Sequence, residues 1–366
     1  MNTIITTTVT ITAITGILAF LLTLADRTIN NYGEVKIIIN NDKEYIVEGG
    51  SSLLSSLMEQ KIFIPSACGG KGTCGYCKVK VLEGGGPVLP TETPFMTKDE
   101  LENKIRLSCQ CKVKQEIKIE IPEELFNVKE YEAIVESIED MTSVIKKLRL
   151  RLKEGEEINF KPGQYIQLKA PIYKGNDEEV YRAYSIASPP YHKNYIDLII
   201  GYVPEGKATT YVHKILKEGD KVSFNGPYGD FYFHDDNNRE IVLVAVGTGM
   251  APILSILYHM KENNINRKAT LYFGAKTPED LFLLDEIKEL ESILPNFRFV
   301  PCLSRITEEH NWTGEKGRVN NALEKYIIDG DNKEAYLCGN PPMIDSVTAV
   351  LKDKGIPEEI IYYDKF

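Results

Sequence analysis

The chain has no positive charge to spare. Its 366 residues carry 43 Lys and Arg against 53 Asp and Glu, a formal net charge of −10. Bulk charge will therefore not draw it to nucleic acid or to an anionic lipid surface. Histidine is scarce, and none of His192, His213, His234, His259 and His310 is spaced like a metal-binding pair. No internal repeat or low-complexity tract is visible, and 43% apolar with 26% charged residues describe a globular chain, not a disordered or fibrous one. Cysteine is too unevenly spread for a disulfide framework. Of seven, Cys68, Cys74 and Cys77 crowd into ten residues, while Cys109, Cys111, Cys302 and Cys338 are scattered. That is ligand spacing, and a reducing compartment is the simpler reading.

Long apolar runs are missing except at the start. Residues 1–25 carry no charged side chain, and Gly16–Ala25 is strongly apolar. About 20 residues cross a bilayer as a helix, and this stretch is just long enough, although threonine fills its first half. A cleaved signal peptide is the rival reading, but it requires a basic leading segment, and no Lys or Arg precedes Arg27. The spacing predicts one transmembrane helix and tether over 1–31. Basic residues (Arg27, Lys36, Lys43) lie only on its C-terminal side. The positive-inside rule then puts the body in the cytoplasm, as a single-pass protein of the cell (inner) membrane.

The remaining length is enough for two or three domains with their own cores. Residues 32–126 read as a compact α+β domain: a hairpin turning at Asn40-Asn41-Asp42, a helix over Leu53–Glu59, the cysteine loop, and strands at Val79 and Ile117. Residues 127–237 show short strands between Gly and Pro turns, the pattern of a small antiparallel β-barrel. From 238 to 366 strands alternate with helices, beginning with the apolar run Ile241–Val246 and a helix over Pro252–Glu262, which predicts a doubly wound α/β domain with a parallel sheet.

The sharpest signal is Cys68-Gly-Gly-Lys-Gly-Thr-Cys74-Gly-Tyr-Cys77, with Cys109 in Leu107-Ser-Cys-Gln110. Three clustered cysteines plus a distant fourth, around glycines that let backbone N–H groups approach sulfur, suit a two-iron cluster. Structural zinc sites more usually take two close ligand pairs. Cys111 competes for the fourth position, because residues two apart in a strand face the same side. The sequence around Cys109 resembles the ferredoxin ending Leu-x-Cys-Gln, which favours Cys109 and leaves Cys111 as a small buried residue.

The first gap in the loop holds five residues, one more than the common plant-type loop. With this wider loop and its apolar leader, the chain resembles, over nearly its whole length, the F subunits of the sodium-translocating NADH:quinone reductases. Arg182-Ala-Tyr184-Ser185 is similar to the flavin signature of the ferredoxin–NADP reductase superfamily. The resemblance implies that Arg182 meets the diphosphate of FAD, Tyr184 lies against the flavin ring, and Ser185 bonds near N5, where hydride arrives. Thr209 and Thr210 match a diphosphate position, and Gly226-Pro-Tyr-Gly229 a closing barrel turn. Gly247-Thr248-Gly249-Met-Ala-Pro252 lies between a buried strand and a helix, a context that favours dinucleotide binding, and it is similar to the superfamily's pyridine-nucleotide loop. Cys338-Gly339-Asn-Pro-Pro-Met343 resembles the segment beside the nicotinamide. Phe366 matches a C-terminal aromatic that covers the flavin face.

The resemblance thus implies an enzyme that takes hydride from NADH onto FAD and passes single electrons through a [2Fe–2S] cluster to other membrane subunits of a reductase complex. Sodium pumping and quinone reduction would belong to those partners. A reductase component of a multicomponent oxygenase has the same three modules but no need of the leader. A scaffold protein would not need Cys68, Cys74, Cys77, Arg182 and Gly247 intact. Ser304-Arg305 leaves NADPH open, since such a pair can recognise a 2′-phosphate, whereas a surface arginine after a strand needs no ligand.

Overall fold

The computed structural model describes residues 2–29 and 32–365, in two compact units, Met1–Val128 and Lys129–Phe366.

The N-terminal unit opens with helix α1 (Asn2–Ile29). Four of its threonines satisfy their hydroxyls within the helix: Thr10, Thr12, Thr15 and Thr23 donate to the carbonyls four residues back at 2.8, 2.9, 2.9 and 3.1 Å. Ile11, Ile14, Ile17, Leu18, Phe20 and Leu21 are each more than half exposed. Among the described residues, however, no helix is long and apolar enough to cross a membrane, so the expected transmembrane span is not met there.

The ferredoxin-like body that follows is a five-stranded sheet in the order β2-β1-β5-β3-β4, from β1 (Glu34–Ile39), β2 (Lys43–Glu48), β3 (Lys78–Glu83), β4 (Ile105–Leu107) and β5 (Ile117–Glu120). The hairpin turns where expected, because Asn40 and Asn41 take positive φ (54° and 59°), which asparagine tolerates. Helix α2 (Leu53–Glu59) is capped by Ser52, whose hydroxyl accepts from the Ser55 amide, and buries Leu53, Leu54 and Leu57 in the core. A short helix α3 (Lys98–Glu102) carries a reciprocal cap between Thr97 and Glu100.

The C-terminal unit holds two layers of function on one scaffold. Strands β6 (Lys129–Thr142), β7 (Ile145–Leu152), β8 (Tyr165–Ala170), β9 (Val180–Ser185), β10 (Tyr195–Gly201) and β11 (Lys221–Tyr228) form an antiparallel sheet in the order β10-β7-β6-β11-β8-β9. A bridge between Ile186 and Leu198 joins the two edges and closes the barrel. Helix α4 (Lys207–Thr210) follows β10.

The α/β part is a parallel sheet in the order β15-β14-β13-β12-β16-β17, from β12 (Glu240–Val246), β13 (Ala269–Ala275), β14 (Phe297–Leu303), β15 (Glu315–Lys316), β16 (Lys333–Gly339) and β17 (Ile361–Lys365). Helices α5 (Met250–Glu262), α6 (Leu284–Ile293), α7 (Val319–Tyr326) and α8 (Pro341–Asp353) connect and cover it. The chain builds outward from β12 to β15, then returns to the other side of β12 with β16. That reversal makes a switch point between β12 and β16, where ligands of open α/β sheets bind beyond the strand C-termini. Barrel residues Ile145, Ala187, Ile199 and Phe231 share one buried core with Leu243, Ile253 and Cys338, so barrel and sheet pack as a single body.

Candidate functional site

In the cysteine loop the four expected thiols meet in two pairs. Cys74 Sγ lies 3.4 Å from Cys68 Sγ, and Cys77 hydrogen-bonds Cys109. All seven cysteines are free thiols. Within each pair one sulfur is favoured as thiolate by a hydrogen bond from its partner: Cys74 pulls Cys68 down, and Cys77 pulls Cys109 down. Among the described residues no three His, Cys, Asp or Glu side chains gather around one ion. Two pairs of thiols suit two irons with two protein ligands each. Glycine makes the cradle. Gly72 and Gly75 have φ of 72° and 75°, and a Cβ there would come within 2.5 Å of Gln110 and 3.0 Å of Phe95.

Cys111 stands apart. Strand alternation would put it on the same face as Cys109, but β4 ends at Leu107 and a turn follows, in which the amides of Gln110 and Cys111 both bond the Leu107 carbonyl. Strand alternation does not apply in that turn. Cys111 packs among Leu53, Leu57 and Val113 in the core, and burial pushes its thiol up to about 11.

Beside the cluster loop lies a feature that carried no sequence signal. Arg106 is buried and clamps the segment 85–92: its Nη atoms bond the carbonyls of Gly85, Gly86 and Pro87, and its Nε and Nη2 meet the fully buried Glu92 carboxylate at 2.9 and 2.6 Å. Glu92 also accepts from the Leu89 and Leu107 amides. Burial alone would raise its pKa, but the Arg106 and amide hydrogen bonds outweigh burial and hold it below the ordinary value. A carboxyl with a depressed folded pKa contributes stability above its unfolded value of about 4.3, and that contribution is lost as pH falls through the folded value. Arg106→Leu should therefore cost this unit about 3–5 kcal/mol near neutral pH, the cost of stranding a buried charge. The difference from wild type should shrink in thermal melts taken progressively below about pH 4.

In the barrel, β9 presents the flavin candidates. Arg182 is half-buried and has no carboxylate partner among the described residues. Its Nη1 donates to the Tyr181 carbonyl at 2.7 Å. The Tyr184 hydroxyl is buried with no hydrogen-bond partner, and burial raises its pKa. A cation free for phosphate and an orphaned hydroxyl beside it suit a flavin nucleotide. Ser185 ends β9 opposite Tyr165. Three residues on, the Ser188 carbonyl accepts from the buried Ser255 hydroxyl of α5 at 2.9 Å, tying the strand end to the nucleotide helix. Thr209 is already engaged: its Oγ1 bonds the Val203 amide and carbonyl at 3.2 and 3.1 Å, closing the loop before α4. The Thr210 amide donates to the Gly206 carbonyl at 2.8 Å.

At the switch point the two nucleotide motifs meet. Gly249 touches the end of β16, where a Cβ would lie 2.1 Å from the Cys338 carbonyl oxygen. Gly339 (φ 153°) packs on Val246 in return. Gly247 has φ of 53° with nothing within 4 Å of its would-be Cβ, so its outer face is open to an approaching group. Thr248 reaches the barrel, its methyl 3.3 Å from the Cβ position of Gly201. Cys338 is fully buried, and burial holds its thiol protonated well above the usual range. Ser304 and Arg305 are exposed at the C-terminal end of β14, their amides bonded to the Ala275 and Lys276 carbonyls. Lys365 pairs with Gly339, bringing β17 beside the same corner. Phe366 lies outside the described residues.

Comparison with known proteins follows the same division. Three family models match: "2Fe-2S iron-sulfur cluster binding domain" over residues 37–114, "Oxidoreductase FAD-binding domain" over 132–233 and "Oxidoreductase NAD-binding domain" over 243–349. Among curated relatives, the F subunit of the Na(+)-translocating NADH-quinone reductase of Neisseria meningitidis is 36% identical over 97% of this chain and 97% of its own length. The protein of the same description from Marinomonas sp. is 37% identical over 97% of this chain and 96% of its own. Among solved structures, an Amycolatopsis cytochrome P450 reductase aligns with a TM-score of 0.72 and 25% identity, covering 91% of this chain and 98% of that one. A ferredoxin reductase in carbazole 1,9a-dioxygenase aligns with a TM-score of 0.71 at 24% identity over the same shares, a likeness of fold.

Proposed function

The chain belongs to the family of the F subunits of Na(+)-translocating NADH-quinone reductases, and from that premise we propose that it is the NADH-oxidising component of such a complex. FAD, NADH and a [2Fe–2S] cluster are its cofactors: nicotinamide yields a hydride, flavin takes two electrons and returns them singly, and the cluster carries one at a time. The observation that carries this reading is the three-thiol loop paired with Cys109, the Arg182–Tyr184 strand and the open Gly247 loop in one chain that aligns over 97% of its length with those relatives.

Each residue then has its own task. Cys68 with Cys74, and Cys77 with Cys109, would each hold one iron. Arg182 would neutralise the FAD diphosphate, with Thr210 and the loop closed by Thr209 beside it. Tyr184 would back the flavin and give its buried hydroxyl a partner, and Ser185 would bond the ring edge. The Gly247–Thr248–Gly249 turn would receive the NADH diphosphate at the start of α5. Cys338 and Gly339 would form the wall beside the nicotinamide. A thiol so fully buried is neutral, so Cys338 supports position and does not act as a base. Phe366 would cover the flavin face until nicotinamide displaces it. Four segments serve these roles: a leader over 1–31, a ferredoxin domain over 32–126, a flavin barrel over 127–237 and a nucleotide domain over 238–366.

The same proposal places α1 in the cell membrane as a single-pass anchor, with the body in the cytoplasm and electrons leaving to partner membrane proteins of the complex. An uncharged stretch over 1–25, threonine hydroxyls bonded within the helix, and exposed isoleucine and leucine support it. The oxygenase reductases share the fold, but the leader and the full-length identity favour the pump component.

One experiment tests activity and anchor together. A chain beginning at Asn30 should stay in the aqueous fraction, load flavin and cluster, and oxidise NADH faster than NADPH with a one-electron artificial acceptor. The full chain should sediment with membranes. Loss of flavin reduction on truncation, or an intact chain that stays in the supernatant, would refute the anchor; preference for NADPH would refute the substrate.

A further inference from the structure

Gln110 follows the fourth thiol and is held by more than its own backbone. Its Oε1 accepts from the Thr91 hydroxyl at 3.0 Å, which leaves its Nε2 turned to Cys109 Sγ, 3.6 Å away. Thr91 adjoins Glu92, the buried end of the Arg106 clamp that also holds the carbonyls of Gly85 and Gly86. Glu92 in turn accepts from the Leu107 amide, at the entrance to the Cys109 turn. The amide therefore sits between two rigid supports. Residue 72 leaves it room, since a Cβ at Gly72 would lie 2.5 Å from Gln110 Nε2.

We propose that the Gln110 side-chain amide, oriented by Thr91, is a donor to the Cys109 sulfur that raises the reduction potential of the cluster. The inference rests on the reading of Cys109 as an iron ligand. The Gln110 bond depends on one side chain and its Thr91 hook. An added electron increases negative charge on the ligand sulfurs. An N–H donor then stabilises the reduced form more than the oxidised one, so hydrogen bonds to sulfur move the potential upward. Thr91 is a positioning residue: it touches no sulfur and acts by engaging the carbonyl end of the amide, so that the NH2 end faces Cys109.

The test is a redox titration of the full holoprotein, followed by cluster absorbance and electron paramagnetic resonance. Gln110→Leu keeps the bulk and removes the donor. At a fixed poise its reduced-to-oxidised ratio should fall about tenfold, which for one electron is a shift of about 59 mV downward. Thr91→Val should shift the potential in the same direction by less, and Thr91→Ser, which keeps the hydroxyl, should titrate as wild type. Flavin potential should not move in any of the three. A fully loaded Gln110→Leu protein with the wild-type potential overturns the proposal. If that variant does not assemble a cluster, the Thr91 pair decides: equal potentials for Thr91→Val and wild type overturn it. A cluster retained in Cys109→Ala would instead refute the ligand reading beneath it.

Discussion

Cys109→Ala is expected to abolish the visible absorbance of the [2Fe–2S] cluster while NADH still bleaches the flavin. The thiols lie in the N-terminal unit and the flavin candidates in the other. In the structure Cys109 is the hydrogen-bond partner of Cys77, whereas Cys111 follows the Leu107 turn and is 1% exposed. On the proposed ligand set, removing one of four thiolates would leave one iron with a single protein ligand, so the whole cluster should be lost and not merely weakened. Cys111→Ala should keep the cluster and cost about 1 kcal/mol of stability, the loss of a small buried group. Iron and sulfide assays with visible spectra on both proteins decide it. An exchange of the two phenotypes would show that Cys111 is the ligand.

Substitution of Gly249 should have the second large effect, and comparison with Gly247 separates its cause. A methyl at Gly249 would lie 2.1 Å from the Cys338 carbonyl oxygen and 2.6 Å from its carbon. Both neighbours are backbone, so no rotamer change relieves the overlap. Either the loop lifts from β16 or α5 shifts. Gly249→Ala should cost about 1–3 kcal/mol or more, and NADH affinity should fall at least ~10-fold as the turn proposed to receive the diphosphate is displaced. Gly247→Ala meets no atom within 4 Å but holds φ at 53°, a strain of roughly 1–2 kcal/mol. Its methyl would occupy the open face where a nucleotide approaches, so affinity should fall with a milder loss of stability. Melting curves and NADH titrations of both proteins test the pair. A Gly249→Ala protein with wild-type melting and affinity would refute this account of the turn.

Much of the architecture was legible from local pattern. Asn40 and Asn41 marked the hairpin because its tight turn takes positive φ at both positions, which asparagine accepts. Leu53–Glu59 came out as the predicted helix because its cap and its apolar stripe agree. The run Ile241–Val246 marked a strand buried on both faces, and the glycines after it marked the turn into α5. Other elements left weaker traces. Strand β17 lies at the edge of the sheet, where a short five-residue segment carries little periodic signal. The leader showed the limit of composition: an uncharged stretch predicted a membrane crossing, but among the described residues no helix is long and apolar enough to make one.

What the sequence determined by itself was the kind of chemistry. Cysteine at ligand spacing among glycines, an Arg–x–Tyr–Ser strand and a glycine turn after a buried strand each act through neighbours a few residues away, so their chemistry is written in local order. What only the tertiary structure decided was which groups are free to act. The pairing of Cys68 with Cys74 and of Cys77 with Cys109, the core position of Cys111, the engagement of Thr209 in its own loop, and the contact of Gly249 with Cys338 all depend on packing. So does the Arg106–Glu92 clamp, whose residues look like ordinary surface charges until both are found buried. The physical reason is that hydrogen bonds and close packing are short-ranged. Their partners come from distant parts of the chain, and local sequence order does not record which distant groups the fold will bring within reach.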